Sequence, residues 1–215
     1  MKNFAVSLLL CCLFIFATSP AQDSSGLPRS SAHNVKVSHK LSVDRVAKGS
    51  TFQIALILDI ARGWHVNSHR PTTQYLIPTD VQLEPREGYI VTDIRYPKGT
   101  LQKLGFSDQL LDVYEKTITV FVSVKVSETF PLDGDTVRGT LRVQSCDDKV
   151  CLAPSTISLA IPFALTDAGV AIQFVNEETF RAYQGGEFQT DVQPQNELAA
   201  LFETKGSFVA FLALF

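Results

Sequence analysis

Ile118, Val120, Val122, Val124 and Val126 place an apolar side chain at every second position. Successive side chains of a strand point to opposite faces, so this run describes a strand with one buried face; a helix needs spacings of three and four. The same period recurs at Val35, Val37, His39, Leu41 and Val43, and again at Phe52, Ile54, Leu56, Leu58 and Ile60. It returns at Val137, Leu141 and Val143, and at Ile157, Leu159, Ile161 and Phe163. Val81–Leu83 and Tyr89–Tyr96 are shorter strand candidates, and Asp133-Gly134-Asp135 is a turn signal. No segment before about residue 176 carries a helical period. This pattern predicts an all-β, antiparallel β-sandwich over residues 35–165.

The two ends read differently from the middle. Lys2, the apolar run Phe4 to Ala17 and the small residues of Ser19-Pro20-Ala21 have the pattern of a secretory signal peptide over residues 1–21, cleaved after Ala21. Acylation at Cys11 or Cys12 is the weaker alternative, because bulky Leu10 precedes the pair. Cleavage leaves two of four cysteines, in a compartment that tolerates disulfides. It also moves the net charge from −3 to −4, since 19 basic residues become 18 against 22 acidic ones. Such a charge gives no basic field for nucleic acid. Residues 22–34, rich in Ser, Gly and Pro, read as disordered, and residues 166–205 as a linker with short helices, one around Glu177 to Tyr183. Residues 206–215 (GSFVAFLALF) are apolar and uncharged. They fit either a C-terminal strand or core helix, or the start of a transmembrane helix, which needs about 20 residues.

Cys146 and Cys151 enclose Asp147-Asp148-Lys149-Val150 between the strands Val137–Ser145 and Ile157–Phe163. If those strands pair as a hairpin, the cysteines meet at its mouth with Cα atoms about 4.5–5.5 Å apart, within disulfide range. Closing so short a loop contributes about 2 kcal/mol by chain entropy, and less where a hairpin already holds the ends. A sandwich of about 130 residues does not need that staple. The pair is therefore placed to open and close by thiol–disulfide exchange, although spacing alone leaves a purely structural bridge open. It is not a CxxC motif and has no helix N-terminus to lower a thiol pKa. Asp147 and Asp148 disfavour a thiolate, Lys149 favours one, and the two acids read as turn chemistry.

His65 and His69 are four apart, a metal-ligand spacing on a helix. They fall beside Asn67 and Pro71, where a polar loop with ordinary hydrogen bonds is the simpler reading, and no metal site is assigned. Trp64, the only tryptophan, reads as core. Tyr114 has two open placements, against the cysteine hairpin or over the sandwich edge. No Ser-His-Asp order, phosphate loop or paired-carboxylate site stands out.

Three motifs in order resemble one family. QSCDDKVCLAP from Gln144, with Pro154 after the second cysteine, resembles the redox hairpin of the N-terminal periplasmic domain of DsbD-type transmembrane thiol:disulfide reductases. Gly63-Trp64-His65-Val66-Asn67-Ser68 followed by Leu76-Ile77-Pro78-Thr79, and then Val113-Tyr114-Glu115, are similar to further signatures of that domain. The resemblance covers about residues 35–165. It implies an immunoglobulin-like sandwich in the periplasm, without a cofactor. Such a domain passes reducing equivalents from a membrane electron-carrier domain to periplasmic thioredoxin-fold proteins. By position, Cys151 resembles the cysteine that attacks the partner and Cys146 the one that resolves the mixed disulfide. The family shields its cysteines with an aromatic cap loop, whose place is taken by Lys98 to Asp112. Phe106 and Tyr114 are the shielding candidates, in a loop that departs from the best-known members. In the family a transmembrane domain follows, which the apolar end fits.

Overall fold

A computed structural model of the chain describes residues 30–131, 133–185 and 188–191. The expected signal peptide (1–21), most of the expected disordered lead-in and the apolar segment 206–215 lie outside the described residues.

The alternating runs form the two sheets of a sandwich. β1 (Val35–Leu41), β3 (Thr51–Ile60), β9 (Thr117–Val126), β6 (Tyr89–Pro97) and β13 (Phe188–Asp191) make a five-stranded antiparallel sheet in that order. Facing it, β12 (Ser155–Thr166), β10 (Gly134–Val143) and β5 (Asp80–Leu83) pair antiparallel, and β2 (Val46–Ala47) joins β12 in parallel. Phe52, Ile54, Leu56 and Leu58 of β3 and Val120, Val122 and Val124 of β9 share one core with Val137, Leu141, Val143, Leu159, Ile161 and Phe163. The rings of Phe52 and Phe163 meet across the layers at 5.2 Å. Trp64 packs half-buried at the rim of this core. His39, expected to face inward, is exposed because β1 is the edge strand.

The outer face of the five-stranded sheet is also covered. Ala55 and Phe121 are out of phase with the core-facing residues of β3 and β9, yet both are buried. Phe180 of α1 (Glu177–Gly185), Tyr183 and Phe188 pack on them, with ring centroids 5.3–5.8 Å from Phe121. The expected helix near Glu177 is present. Phe180, Tyr183 and Phe188 thus add a third layer to the sandwich, because an aromatic on the solvent side of a strand gains by being covered. The other end differs. Ser31–Asn34, placed in the disordered lead-in by composition, form a 3-10 turn in which Ser31 is fully buried.

A third, smaller sheet stands beside the sandwich. Its order is β11 (Ser145–Cys146), β4 (His65–Asn67), β8 (Leu110–Tyr114) and β7 (Thr100–Lys103), all antiparallel. The stretch from Lys98 to Asp112, expected as a loop, is therefore mostly a hairpin that turns through residues 104–109. Val113 and Tyr114 end β8.

Candidate functional site: the cysteine hairpin and its cover

The β10–β12 ladder runs from Gly134↔Ala164 to Val143↔Ser155 and stops short of the cysteines. They do not sit at the mouth of that hairpin. After Val143 the chain leaves the sandwich sheet, and Ser145–Cys146 pairs with β4 instead. Cys146 and Cys151 oppose each other in a small turn of their own, bonded, with Cα atoms 4.0 Å apart. Hydrogen bonds flank the pair: the Asp147 N–H donates to the Val150 carbonyl (3.0 Å), and the Leu152 N–H to the Ser145 carbonyl (2.9 Å). At the tip, Asp147 Oδ1 accepts from the Lys149 and Val150 N–H groups, both at 2.8 Å. These bonds hold its carboxyl below the usual carboxylate range, so Asp147 serves as turn chemistry.

Polar side chains, more than apolar ones, fix this turn to the sandwich. Ser31 Oγ donates to the Ala153 carbonyl (2.7 Å) and accepts from the Ser145 N–H (2.9 Å), while Ser145 Oγ donates to the Ser31 carbonyl (2.9 Å). Gln144 Oε1 accepts from Asn67 Nδ2 (3.1 Å) and from the Ile77 N–H (3.2 Å), and its Nε2 donates to the Leu152 carbonyl (3.3 Å). Asn67 Nδ2 also donates to the Ile77 carbonyl, and Thr79 Oγ1 to the Asn67 carbonyl. Asn67, the Ile77–Thr79 segment and Gln144, distant in sequence, thus meet in one network. Buried polar groups need such partners, and each motif supplies some to the others, while Asn67 Oδ1 has none among the described residues.

Cys146 is completely buried and Cys151 partly exposed, so of the two residues only the second borders solvent. His65 of β4 lies directly across from Cys146, and Cys146 directly across from Cys151. The three side chains share one face of the small sheet, because directly opposed residues do. Phe106, at the turn of the β7–β8 hairpin, stacks on His65 at 6.4 Å with the rings 14° apart, and is itself 38% exposed. Gly105 lies against the cysteine turn: a Cβ there would sit 2.7 Å from the Asp148 carbonyl oxygen. The two hairpin tips are in contact.

Tyr114 is placed otherwise. It pairs with Val66, one residue on from His65, so it occupies the opposite face of the small sheet and does not cover the sulfurs. Its hydroxyl donates to the Pro97 carbonyl (2.8 Å) and accepts from the His69 N–H (3.2 Å), and burial pushes its pKa up to about 12. His69 stacks on Tyr96 at 3.6 Å, its Nδ1 3.1 Å from the Thr79 carbonyl. Among the described residues no cluster of His, Cys, Asp and Glu fit to hold a metal is found. His65 is on a strand rather than in a loop, and its place beside Cys146 is not evident from spacing. The only signal for it is the Trp64–Asn67 stretch itself, too short to show a period.

None of the curated proteins matches the chain. Among solved structures it is similar to the N-terminal periplasmic domain of ScsB from Proteus mirabilis, at 13% identity and a TM-score of 0.44 over 69% of this chain and 52% of that one. The chain thus spans about half the length of that relative. It is also similar to the reduced DsbD N-terminal domain of Neisseria meningitidis, at 14% identity and 0.35 over 71% and 98%. A major pilin subunit of Bacillus cereus, BcpA, follows at 7% identity and 0.34 over 61% and 41%. Residues 34–161, which carry most of the sandwich and both cysteines, match the family described as thiol:disulfide interchange protein DsbD, N-terminal, and the chain belongs to that family.

Proposed function

We propose that this chain is an exported thiol–disulfide exchange domain that relays reducing equivalents through a reversible Cys146–Cys151 bond. One observation carries the reading: the bond closes a small turn outside both sandwich sheets, between buried Cys146 and partly exposed Cys151. Opening it leaves the core untouched. In the forward direction the Cys151 thiolate attacks a partner disulfide, and Cys146 then attacks Cys151 Sγ and releases the reduced partner. Phe106 and the β7–β8 tip form the cover that keeps indiscriminate thiols away, and it must lift for a partner to reach Cys151. The partners are thioredoxin-fold proteins, with a membrane electron-carrier domain as the source of electrons. Export to the periplasm is supported by the leader pattern of residues 1–21. Among the described residues no helix is long and apolar enough to cross a membrane. Segment 206–215, outside the described residues, is the proposed point of a membrane connection.

Equilibration of the purified chain with glutathione or dithiothreitol buffers tests the reading. A relay predicts a potential more oxidising than the value of about −300 mV below which structural bridges lie, and an unchanged fold on reduction. It also predicts that a Cys146→Ala variant traps a thioredoxin-fold partner as a mixed disulfide through Cys151. A deeply reducing potential with no trapped partner would leave an exported binding sandwich with a structural bridge.

A further inference from the structure

His65, Cys146 and Cys151 stand in one row across the small sheet, buried His65 directly across from buried Cys146, and Cys146 directly across from partly exposed Cys151. Directly opposed residues bring their Cβ atoms to about 4.5–5.5 Å. His65 is 3% exposed, and its Nε2 is buried without a hydrogen-bond partner among the described residues. A buried polar nitrogen left unpaired is destabilising, so its presence beside a reactive sulfur calls for a role. Phe106 closes the other side of the ring. Burial holds the imidazole pKa below its ordinary value, against Glu115 just past β8 and Asp148 and Asp147 on the cysteine turn, whose charges push it back up. A neutral imidazole offers one nitrogen as acceptor. In the disulfide state Cys146 has no proton to give it; in the dithiol state it has one.

We infer that His65 Nε2 accepts the proton of the Cys146 thiol as that sulfur closes onto Cys151. The inference rests on the exchange reading above. A partner disulfide is the oxidant. The Cys151 thiolate attacks one partner sulfur, forming the mixed disulfide and freeing the other partner sulfur as a thiolate. Cys146 then passes its proton to Nε2, and its electron pair forms the bond to Cys151 Sγ. The bond between Cys151 and the partner breaks, and its electron pair leaves with the partner sulfur. The imidazolium returns the proton to that thiolate or to solvent. The chain ends oxidised by two electrons, the partner reduced by two, and His65 neutral again. A fully buried thiol resists ionisation, so a neighbouring acceptor matters most on this step.

The reduced chain, mixed with the aromatic disulfide 5,5′-dithiobis(2-nitrobenzoate), releases two coloured thiolates in turn: one when Cys151 attacks, the second when Cys146 closes. In His65→Gln the second release should slow about tenfold or more near neutral pH, the first should be unchanged, and the gap should narrow as pH rises into the thiolate range. Gln keeps a hydrogen-bond acceptor but cannot hold the proton. Superimposable second-release profiles for the two proteins would overturn the inference. Should His65→Gln fail to fold, isotope-labelled histidine in the wild-type chain decides the same question. The Nε2 resonance must move on reduction of the disulfide, and a resonance that stays put overturns the role. If the wild-type chain releases no second thiolate at all, the exchange reading itself falls, and the role given to His65 falls with it.

Discussion

The sandwich and the small sheet beside it are held by different means. In the sandwich, long ladders such as Val143↔Ser155 to Gly134↔Ala164 bring apolar side chains from two sheets into one core, and residues such as Leu141 and Ile54 are wholly buried. Apolar attraction of this kind is non-directional and tolerant of detail. In the small sheet, β4 and β11 share only Ser145↔Val66 and Cys146↔His65. Val66 and Tyr114 reach the main core and Leu111 and Val113 pack with Leu76 and Leu104, but the cysteine turn is placed by directed bonds from Ser31, Asn67, Gln144 and Thr79. The contrast shows how one domain separates stability from chemistry: the core supplies most of the folding free energy, and the polar network fixes where two sulfurs stand.

That separation is open to test, beginning where the effect should be largest. Leu141→Ala, in the centre of the core, should cost about 2–5 kcal/mol in urea denaturation while leaving the Cys146–Cys151 potential unchanged. A shifted potential would show that the two regions are coupled. Ser31→Ala removes both the acceptor for the Ser145 N–H and the donor to the Ala153 carbonyl, at about 1–3 kcal/mol, and should also alter the rate at which dithiothreitol opens the bond. Reduction itself should cost less than about 2 kcal/mol, because the closed loop is short and already bridged by hydrogen bonds. A larger loss would mean that the bridge is structural. Gly105→Ala drives a methyl group against the Asp148 carbonyl. It should speed reduction several-fold by unseating the β7–β8 tip, with global stability changed by no more than about 0.5 kcal/mol.

The smallest effect is a slope with pH. His65 has a pKa below 6.5 in the folded chain, from burial first, so the unfolded chain binds a proton that the folded one takes up only at lower pH. Stability should therefore be complete above pH 6.5 and fall as pH drops through the folded-state pKa. His65→Gln should flatten that part of the curve in denaturation experiments repeated across pH.

The same division governs what can be read from residues alone. The strands of the sandwich announce themselves because burial on one face forces a period of two, as at Ile118 to Val126 and Ile157 to Phe163. The third layer leaves a weaker trace: Phe121 and Ala55 stand out of phase, a sign that the outer face is covered. The small sheet leaves almost none. Two- and three-residue strands show no period, and Ser31, Asn67 and Ser145 are buried polar residues whose composition reads as loop. Both cysteines are visible from the QSCDDKVCLAP motif, and the resemblance draws attention to Phe106, which stacks on His65. His65 reads as loop chemistry in the sequence because its neighbour across the sheet, Cys146, is far away along the chain. Tyr114, a shielding candidate by resemblance, belongs to the core on the other face.

The Ser31–Ser145 tie spans 114 positions of the chain. Closing so long a stretch costs chain entropy before the tie can repay it, and we expect this contact to form late in folding, an order that hydrogen-exchange labelling during refolding would check. As the polypeptide emerges from its amino end, the first described turn waits until Ser145 to Ala153 have arrived before it can settle. The reactive pair is thus seated in its final surroundings only by a molecule that has finished folding. On the exchange reading proposed above, competence for electron transfer becomes a certificate of maturity, and half-made copies stay out of the circuit.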